Sequence, residues 1–301
     1  MVNLIIIGSL GLDDIETPFG KKENVLGGAA SYASYAASFF AQPGVISIVG
    51  SDFPEEYLAL LKKRNIDTTG IVMHGKTFRW SGFYEYDMNE AKTKKTELNC
   101  ITAFNPVVPV HYKDARFVFL ANIDPDLQEK VLAQTKNAFV VMDTMNFWIA
   151  QKKEKLLDII KKVNIFVCNE GEARMLFGTP NLIEAGKKIL ALGPKAAVIK
   201  KGEHGALLFT NENGLHIFSA PAYPLEVVRD PTGCGDCFGG AFTAYLAKTN
   251  DTSEKNLRKA VVYGMAVASL NAEDFSLERL KTVTMDEIEE RVALLRRMRE
   301  F

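Results

Sequence analysis

The sequence predicts an α/β fold: a doubly wound, mostly parallel sheet flanked by helices, with a small β-hairpin serving as a lid. Three observations predict it. Short β-branched runs alternate with helical stretches, each run is apolar at nearly every residue, and one segment breaks this rhythm with a period of two. Runs that are apolar throughout belong to strands buried on both faces of a parallel sheet. Strands alternating with helices imply right-handed crossovers. The chain of 301 residues reads as one domain spanning 1–301, with the lid inserted at about 70–100.

The runs are Leu4–Ile7, Val45–Val49, Phe117–Leu120, Phe139–Met142, Ile165–Val167 and Ala197–Ile199. Helices are expected between them at Gly28–Phe40, Glu55–Arg64, Leu127–Lys136, Lys152–Lys161 and Leu182–Leu192. The rhythm then changes. Asn213-Gly214, between Ala206–Phe209 and Leu215–Phe218, reads as the turn of an antiparallel hairpin. Two long helices follow at Cys234–Lys248 and Asn256–Leu270, and an amphipathic helix at Met285–Arg299. In the lid, Phe78, Trp80, Gly82, Tyr84 and Tyr86 alternate with Arg79, Ser81, Phe83 and Glu85, a strand with one aromatic face. Asp87 to Glu90 is its turn and Lys92–Leu98 its return. Such a hairpin covers a ligand, meets a second copy of the chain, or simply packs on the core as a plain edge.

Composition narrows the function classes. Lys and Arg total 36 against 37 Asp and Glu, a net charge of -1, which gives nucleic acid no electrostatic footprint. The apolar stretch from Ala29 to Ala41 is interrupted by serines and too short for a bilayer. Val2–Ile7 lacks the basic flank of a leader. Four cysteines in this length are no disulfide framework. The expectation is a soluble cytoplasmic protein acting on a small molecule.

The chemistry concentrates in Asp230-Pro231-Thr232-Gly233-Cys234-Gly235-Asp236, a glycine-rich turn that opens into an apolar helix. Gly233 and Gly235 let main-chain N–H groups converge, and the helix N-terminus adds positive potential, so the turn is an anion site. A carboxylate there would repel a bound phosphate unless it removes a proton from an attacking hydroxyl. Asp236 as base, with the N–H groups of Gly233, Cys234 and Gly235 as cradle, describes phosphoryl transfer to an alcohol.

This stretch resembles the C-terminal signature of the ribokinase family, the phosphofructokinase-B type of sugar and nucleoside kinases, usually D-T-x-G-A-G-D. Other matches follow in the family's order. Gly8 to Asp13 follows the first strand, where the resemblance makes Asp13 a ligand for substrate hydroxyls. Gly27-Gly28 matches the N-terminal signature and gives a sugar close access to backbone. Asn169-Glu170-Gly171-Glu172 resembles the N-x-x-E motif, implying Mg²⁺ held through water by Asn169 and Glu172. Lys200 to Gly205 resembles the nucleotide-binding strand and turn, with Lys200, Gly202 and Gly205 joined by Tyr263 and Gly264 in the pocket. Asp143 and Asn146 resemble the D-P-N element, and Asn122 and Asp124 follow another strand, which adds Asn122 and Asn146 to the substrate side. The resemblance implies a monovalent cation, K⁺, near Asp230 and Thr232, and a homodimer through the lid.

The sequence also departs from the pattern. Tyr32 stands where the family often has a sugar-binding Asn, Pro231 replaces Thr, and Cys234 replaces Ala. Cys234-x-x-Cys237 has redox or half-zinc spacing but no second pair, no P-loop motif occurs, and the four histidines are scattered. The implied activity is transfer of the ATP γ-phosphoryl to a primary hydroxyl of a sugar-like substrate. The alternative within the family is a nucleoside, with the lid aromatics on the base and Arg79 on a polar group. A nucleotide-binding sensor without chemistry is the reading from a different class, and it leaves Asp236 without a use.

Overall fold

The computed structural model describes residues 2–212 and 214–300. In chain order the strands are β1 (Leu4–Ile7), β2 (Gly11–Thr17), β3 (Gly20–Gly27), β4 (Pro43–Val49), β5 (Asp67–Met73), β6 (Phe78–Tyr84), β7 (Ala91–Glu97), β8 (Phe117–Leu120), β9 (Phe139–Met142), β10 (Ile165–Asn169), β11 (Ala196–Lys200), β12 (Ala206–Thr210) and β13 (His216–Ala220). The helices are α1 (Ala29–Ala37), α2 (Glu55–Lys63), α3 (Pro125–Gln134), α4 (Asn146–Ile160), α5 (Glu170–Phe177), α6 (Leu182–Leu192), α7 (Cys234–Thr249), α8 (Glu254–Asn271) and α9 (Met285–Arg297). Among the described residues the large sheet runs β13-β12-β11-β10-β9-β8-β1-β4-β5, and a second sheet runs β3-β2-β6-β7. Pairing is parallel from β5 through β11, and β12 and β13 are antiparallel.

Alternation along β1 explains why the strands are apolar throughout. Leu4 and Ile6 join the layer under α1, α7 and α8, with Ala33, Phe242 and Val261. Ile5 and Ile7 join the opposite layer under α3, α4 and α6, with Val131, Ile159 and Ile189. Burying each of these side chains contributes about 1.5–3 kcal/mol relative to exposure.

The expected runs all appear as strands, and most expected helices lie within two or three residues of their place. α4 starts earlier than Lys152 because two helical pieces meet there: Lys152 itself has φ -137° and ψ 37°. The sequence reading missed β2, β3, β5 and α5. β5 carries Asp67, Thr68 and Thr69 on a half-exposed edge, and β3 is polar from Lys21 to Asn24. The Asn213-Gly214 turn falls partly on Asn213, outside the described residues, while β12 and β13 pair as expected with Thr210 opposite His216.

The lid differs from a single insertion at about 70–100. Half of its sheet is β2 and β3, and β2 pairs in parallel with β6, Gly11 opposite Phe78. The expected aromatic face is also divided. Phe78 presses on Gly11, Trp80 donates from Nε1 to Thr93 within the lid, and Tyr86 lies past the strand end, exposed. Only Tyr84 of this row turns its hydroxyl to the body of the protein. Among the described residues, no helix is long and apolar enough to cross a membrane.

Candidate active site

Gly233 is the N-cap of α7 with φ 76° and ψ -2°, a left-handed conformation that costs a side chain about 1–2 kcal/mol. A Cβ there would also lie 2.3 Å from the Tyr32 ring, so glycine is required twice. The Cys234 N–H donates to the Pro231 carbonyl at 3.1 Å, which corrects the expectation that it faces an anion. Among the described residues the N–H groups of Gly233, Gly235 and Asp236 have no backbone acceptor. They open at the positive end of a helix of 16 residues.

Asp236 sits in the first turn of that helix. Burial pushes its carboxyl up to about 7, Asp143 adds to the rise, and Lys200 opposes it. Lys200 lies directly beneath the turn: its Nζ is 3.1 Å from the place of a Cβ on Gly235 and 2.7 Å from Asp143 Oδ2. Burial works against the Lys200 proton, yet Asp143, Glu172 and Asp236 together hold it firmly. Burial raises Asp143 and Glu172 as well, with Lys200 countering in both.

Across the turn, Asp13 is buried within β2 rather than at the end of β1. Its carboxyl lies against Gly27, where a Cβ would sit 2.0 Å from Asp13 Cγ, and it faces the Gly28 N–H. Burial raises it to about 8, the Gly28 N–H counters, and the charges of Asp230 and Asp236 add to the rise. Asp13, Asp230 and Asp236 are therefore brought within electrostatic reach of one another. Among the described residues, Asp13 Oδ1 and the Tyr32 hydroxyl are buried without a hydrogen-bond partner.

The other expected residues are distributed less tightly. Asn122 is engaged through both ends of its amide, accepting from Trp148 Nε1 at 3.0 Å and donating to Met145 Sδ at 3.1 Å. Asn146 begins α4 in an exposed position. Arg79 donates to Asn24 Oδ1 at 2.5 Å, inside the lid. Gly202 and Gly205 shape the turn from β11 to β12, closed by Lys201 N–H to the Gly205 carbonyl. Tyr263 does not join that turn: it stacks on Tyr245 with centroids 4.3 Å apart and donates to Glu289 of α9 at 2.9 Å. Gly264 faces Phe238 of α7.

Asn169 and Glu172 form a reciprocal cap on α5: Asn169 Oδ1 accepts the Glu172 N–H at 2.8 Å, and Glu172 Oε2 accepts the Asn169 N–H at 2.7 Å. Among the described residues no group of three or more His, Cys, Asp or Glu is arranged for a metal ion. This donor set fits Mg²⁺ held mainly by phosphate oxygens and water, with Glu172 Oε1 left for that shell. Asp230 accepts the N–H groups of Thr232 at 2.8 Å and Ser276 at 3.1 Å, and the Thr232 carbonyl accepts from Asn271 Nδ2 at 2.8 Å. Both groups expected to hold K⁺ are thus bonded to N–H donors. Burial pushes the Cys234 thiol up to about 12 and also raises Cys237 well above the ordinary thiol value, so this pair is unreactive at neutral pH.

The sequence reading passed over the Asp143–Lys200 ion pair and the contact of Thr232 Oγ1 with Tyr84 at 3.3 Å. Only the alternation of β6 hinted at the second. Surface hollows of about 300 and 450 Å³ lie elsewhere, one beside Lys62 and Asp67 and one between Tyr223 and α9, and neither is lined by Asp13 or Asp236. The Tyr84 contact joins the lid to Thr232, the residue before the Gly233 turn.

Comparison with known proteins identifies the family. Residues 14–280 match the pfkB family carbohydrate kinase model. A cytidine kinase of Thermococcus kodakarensis is 32% identical over 84% of this chain and 92% of its own length. A ribokinase of Staphylococcus aureus is 25% identical over 88% of this chain and 86% of its own. An E. coli protein described as a ribokinase II, in complex with ATP and Mg²⁺, has the same fold with a TM-score of 0.79, at 21% identity over 98% of this chain and 100% of that one. With a lidded, doubly wound sheet and a family match over nearly its whole length, the chain belongs to the pfkB family of carbohydrate kinases and is a phosphotransferase.

Proposed function

We propose that this protein transfers the γ-phosphoryl group of ATP to a primary hydroxyl of a pentose, free or carried by a nucleoside. One observation carries the reading: Asp236, raised to about 7, stands beside three unpaired N–H groups and opposite the buried Asp13. The ionised Asp236 takes the hydroxyl proton as the acceptor oxygen bonds to the γ-phosphorus and the bond to the β-bridging oxygen breaks, releasing ADP. The N–H groups of Gly233, Gly235 and Asp236 meet the charge on the equatorial oxygens. Mg²⁺, when bound, neutralises phosphate charge, with Glu172 Oε1 and water near Asn169 as the protein's contribution to holding it. Asp13 binds hydroxyls of the acceptor that do not react.

The E. coli neighbour bound to ATP and Mg²⁺ supports the donor. The cytidine kinase relative, more alike than the ribokinase over a similar span, favours the nucleoside form of the acceptor. ADP release measured side by side with pentoses, hexoses, sugar phosphates and nucleosides tests the reading. Turnover confined to sugar phosphates, or none at all, would contradict it. Asp236→Asn is expected to lower kcat about a thousandfold with the KM for ATP little changed.

A further inference from the structure

We propose that this chain holds its anion-binding turn without a monovalent cation: N–H groups of Ser276 and Asn271 stand where the resemblance places K⁺. This goes beyond the reading above, and only the turnover arm of its test rests on that reading. A potassium ion is held by carbonyl and carboxylate oxygens that take the place of its water. Beside the turn those oxygens belong to Asp230, Thr232 and the end of α8, and nitrogens already bond them. Asp230 is fully buried. Its Oδ1 accepts the Thr232 N–H at 2.8 Å, and its Oδ2 accepts the Ser276 N–H at 3.1 Å. The Thr232 carbonyl accepts from Asn271 Nδ2 at 2.8 Å. The Ala272 carbonyl accepts the N–H groups of Arg229 and Asp230 at 2.8 and 3.3 Å. Ser276 Oγ is turned away and donates to the Leu26 carbonyl at 2.6 Å.

Each of these bonds aims the positive end of an N–H dipole at an oxygen that a cation would have to share. Two N–H donors on one buried carboxylate also supply the charge stabilisation that a cation would otherwise give it. Two features fix the arrangement. Asn271 ends α8 and is fully buried, and its amide keeps Nδ2 on the Thr232 carbonyl although Oδ1 has no partner among the described residues. Turned over, the amide would set two oxygens face to face, which a cation alone would relieve. Ser276 has φ 53°, a left-handed conformation uncommon for a residue with a side chain, and in it the N–H reaches Asp230 across 46 positions of sequence. The segment 271–276 therefore ties the turn to the end of α8 through its own nitrogens.

The test is an ion series on the wild type joined to one isosteric variant. ADP release with cytidine and D-ribose is measured in the chlorides of K⁺, Na⁺ and tetramethylammonium at one ionic strength, with Mg²⁺ fixed and ATP added as its tetramethylammonium salt. Thermal melting is followed in the same three salts without nucleotide. For the wild type, kcat and both KM values are expected to agree within about twofold across the salts. Its Tm is expected to agree within about 1 °C, since an ion bound by the folded chain would raise it. Asn271→Asp keeps the shape and replaces the N–H donor by oxygen, so its kcat is expected to be about fivefold or more higher in K⁺ than in tetramethylammonium. A wild-type kcat that K⁺ raises about fivefold, or a wild-type Tm raised by K⁺ alone, overturns the inference. A variant as indifferent to K⁺ as the wild type overturns the role given to Asn271. The wild-type arms need no variant to fold. If no acceptor is phosphorylated in any salt the kinase reading fails, and the melts still decide the cation question.

Discussion

On one side of the Gly233–Gly235 turn three carboxyl groups, Asp143, Glu172 and Asp236, gather around the single ammonium of Lys200. On the other side Asp13 and Asp230 are equally buried, yet among the described residues neither is bonded to a lysine or arginine; Asp230 relies on two backbone N–H groups. Both clusters place acids where ionisation is disfavoured by loss of water. The first offsets that in part with a fixed cation, which counters the rise at all three acids and leaves Asp236 at about 7, where it can take part in proton transfer. The second has backbone N–H groups in place of a cation: burial raises Asp13 and Asp230, and N–H donors counter the rise at each. The difference separates the expected chemical half of the site from the expected recognition half.

Removing the cation breaks the first cluster most severely. Lys200→Met leaves Asp143 buried and unpaired, with side-chain exposures of 16% for Lys200 and 4% for Asp143 in the native pair. The expected loss is about 3–5 kcal/mol of unfolding free energy at neutral pH, measured by urea titration. A loss under about 1 kcal/mol would show that the pair is screened by solvent. The second prediction concerns pH. With Asp236 near 7, kcat/KM is expected to rise with pH through about 7 and then level, since the base must be ionised. Lys200 lowers the Asp236 value, so milder damage at that position, Lys200→Gln, is expected to move this acid limb to higher pH.

The smallest expected effect sharpens the second cluster. Asp13 is raised from the ordinary 3.8 to about 8 by burial. Below the lower value the group is protonated in folded and unfolded chains alike. Above it the unfolded chain loses the proton first, so its contribution to stability falls as pH climbs toward the upper value. Asp13→Asn keeps the shape without the proton to lose. Between about pH 5 and about pH 8 the variant is expected to lose less stability than the wild type, read from paired urea melts. Its acceptor KM is expected to rise over the same range, which separates recognition from folding.

The large sheet and the anion turn were legible because their signals are local. Apolar runs such as Phe117–Leu120 and the glycine spacing around Asp236 depend on residues adjacent in the chain. The Asn169–Glu172 pair was legible as a motif, and its capping geometry followed from the same spacing. What stayed hidden depends on partners far apart. Nothing near Lys200 signals that it meets Asp143, 57 positions away, and nothing near Tyr32 signals that its ring fills the space under Gly233. Strands β2 and β3 were hidden for a related reason: β2 takes its second partner from the distant β6, and β3, which pairs with β2, is polar from Lys21 to Asn24 and reads as loop. Tyr32 looked like a missing amide and is instead a buried ring with an unpartnered hydroxyl.

Because β2 carries Asp13 and also holds β6 by six consecutive partners from Gly11 to Glu16, cover and floor are parts of one continuous sheet. Excising residues 78–97 alone would strip a strand from its neighbour and disturb the floor it was meant to expose. Grafting a cover from a relative would mean transplanting two distant stretches together, and the hydroxyl-reading acid would travel with them. Divergence of substrate choice in such a scaffold should therefore come in linked changes to both stretches, rather than by trading a detachable flap.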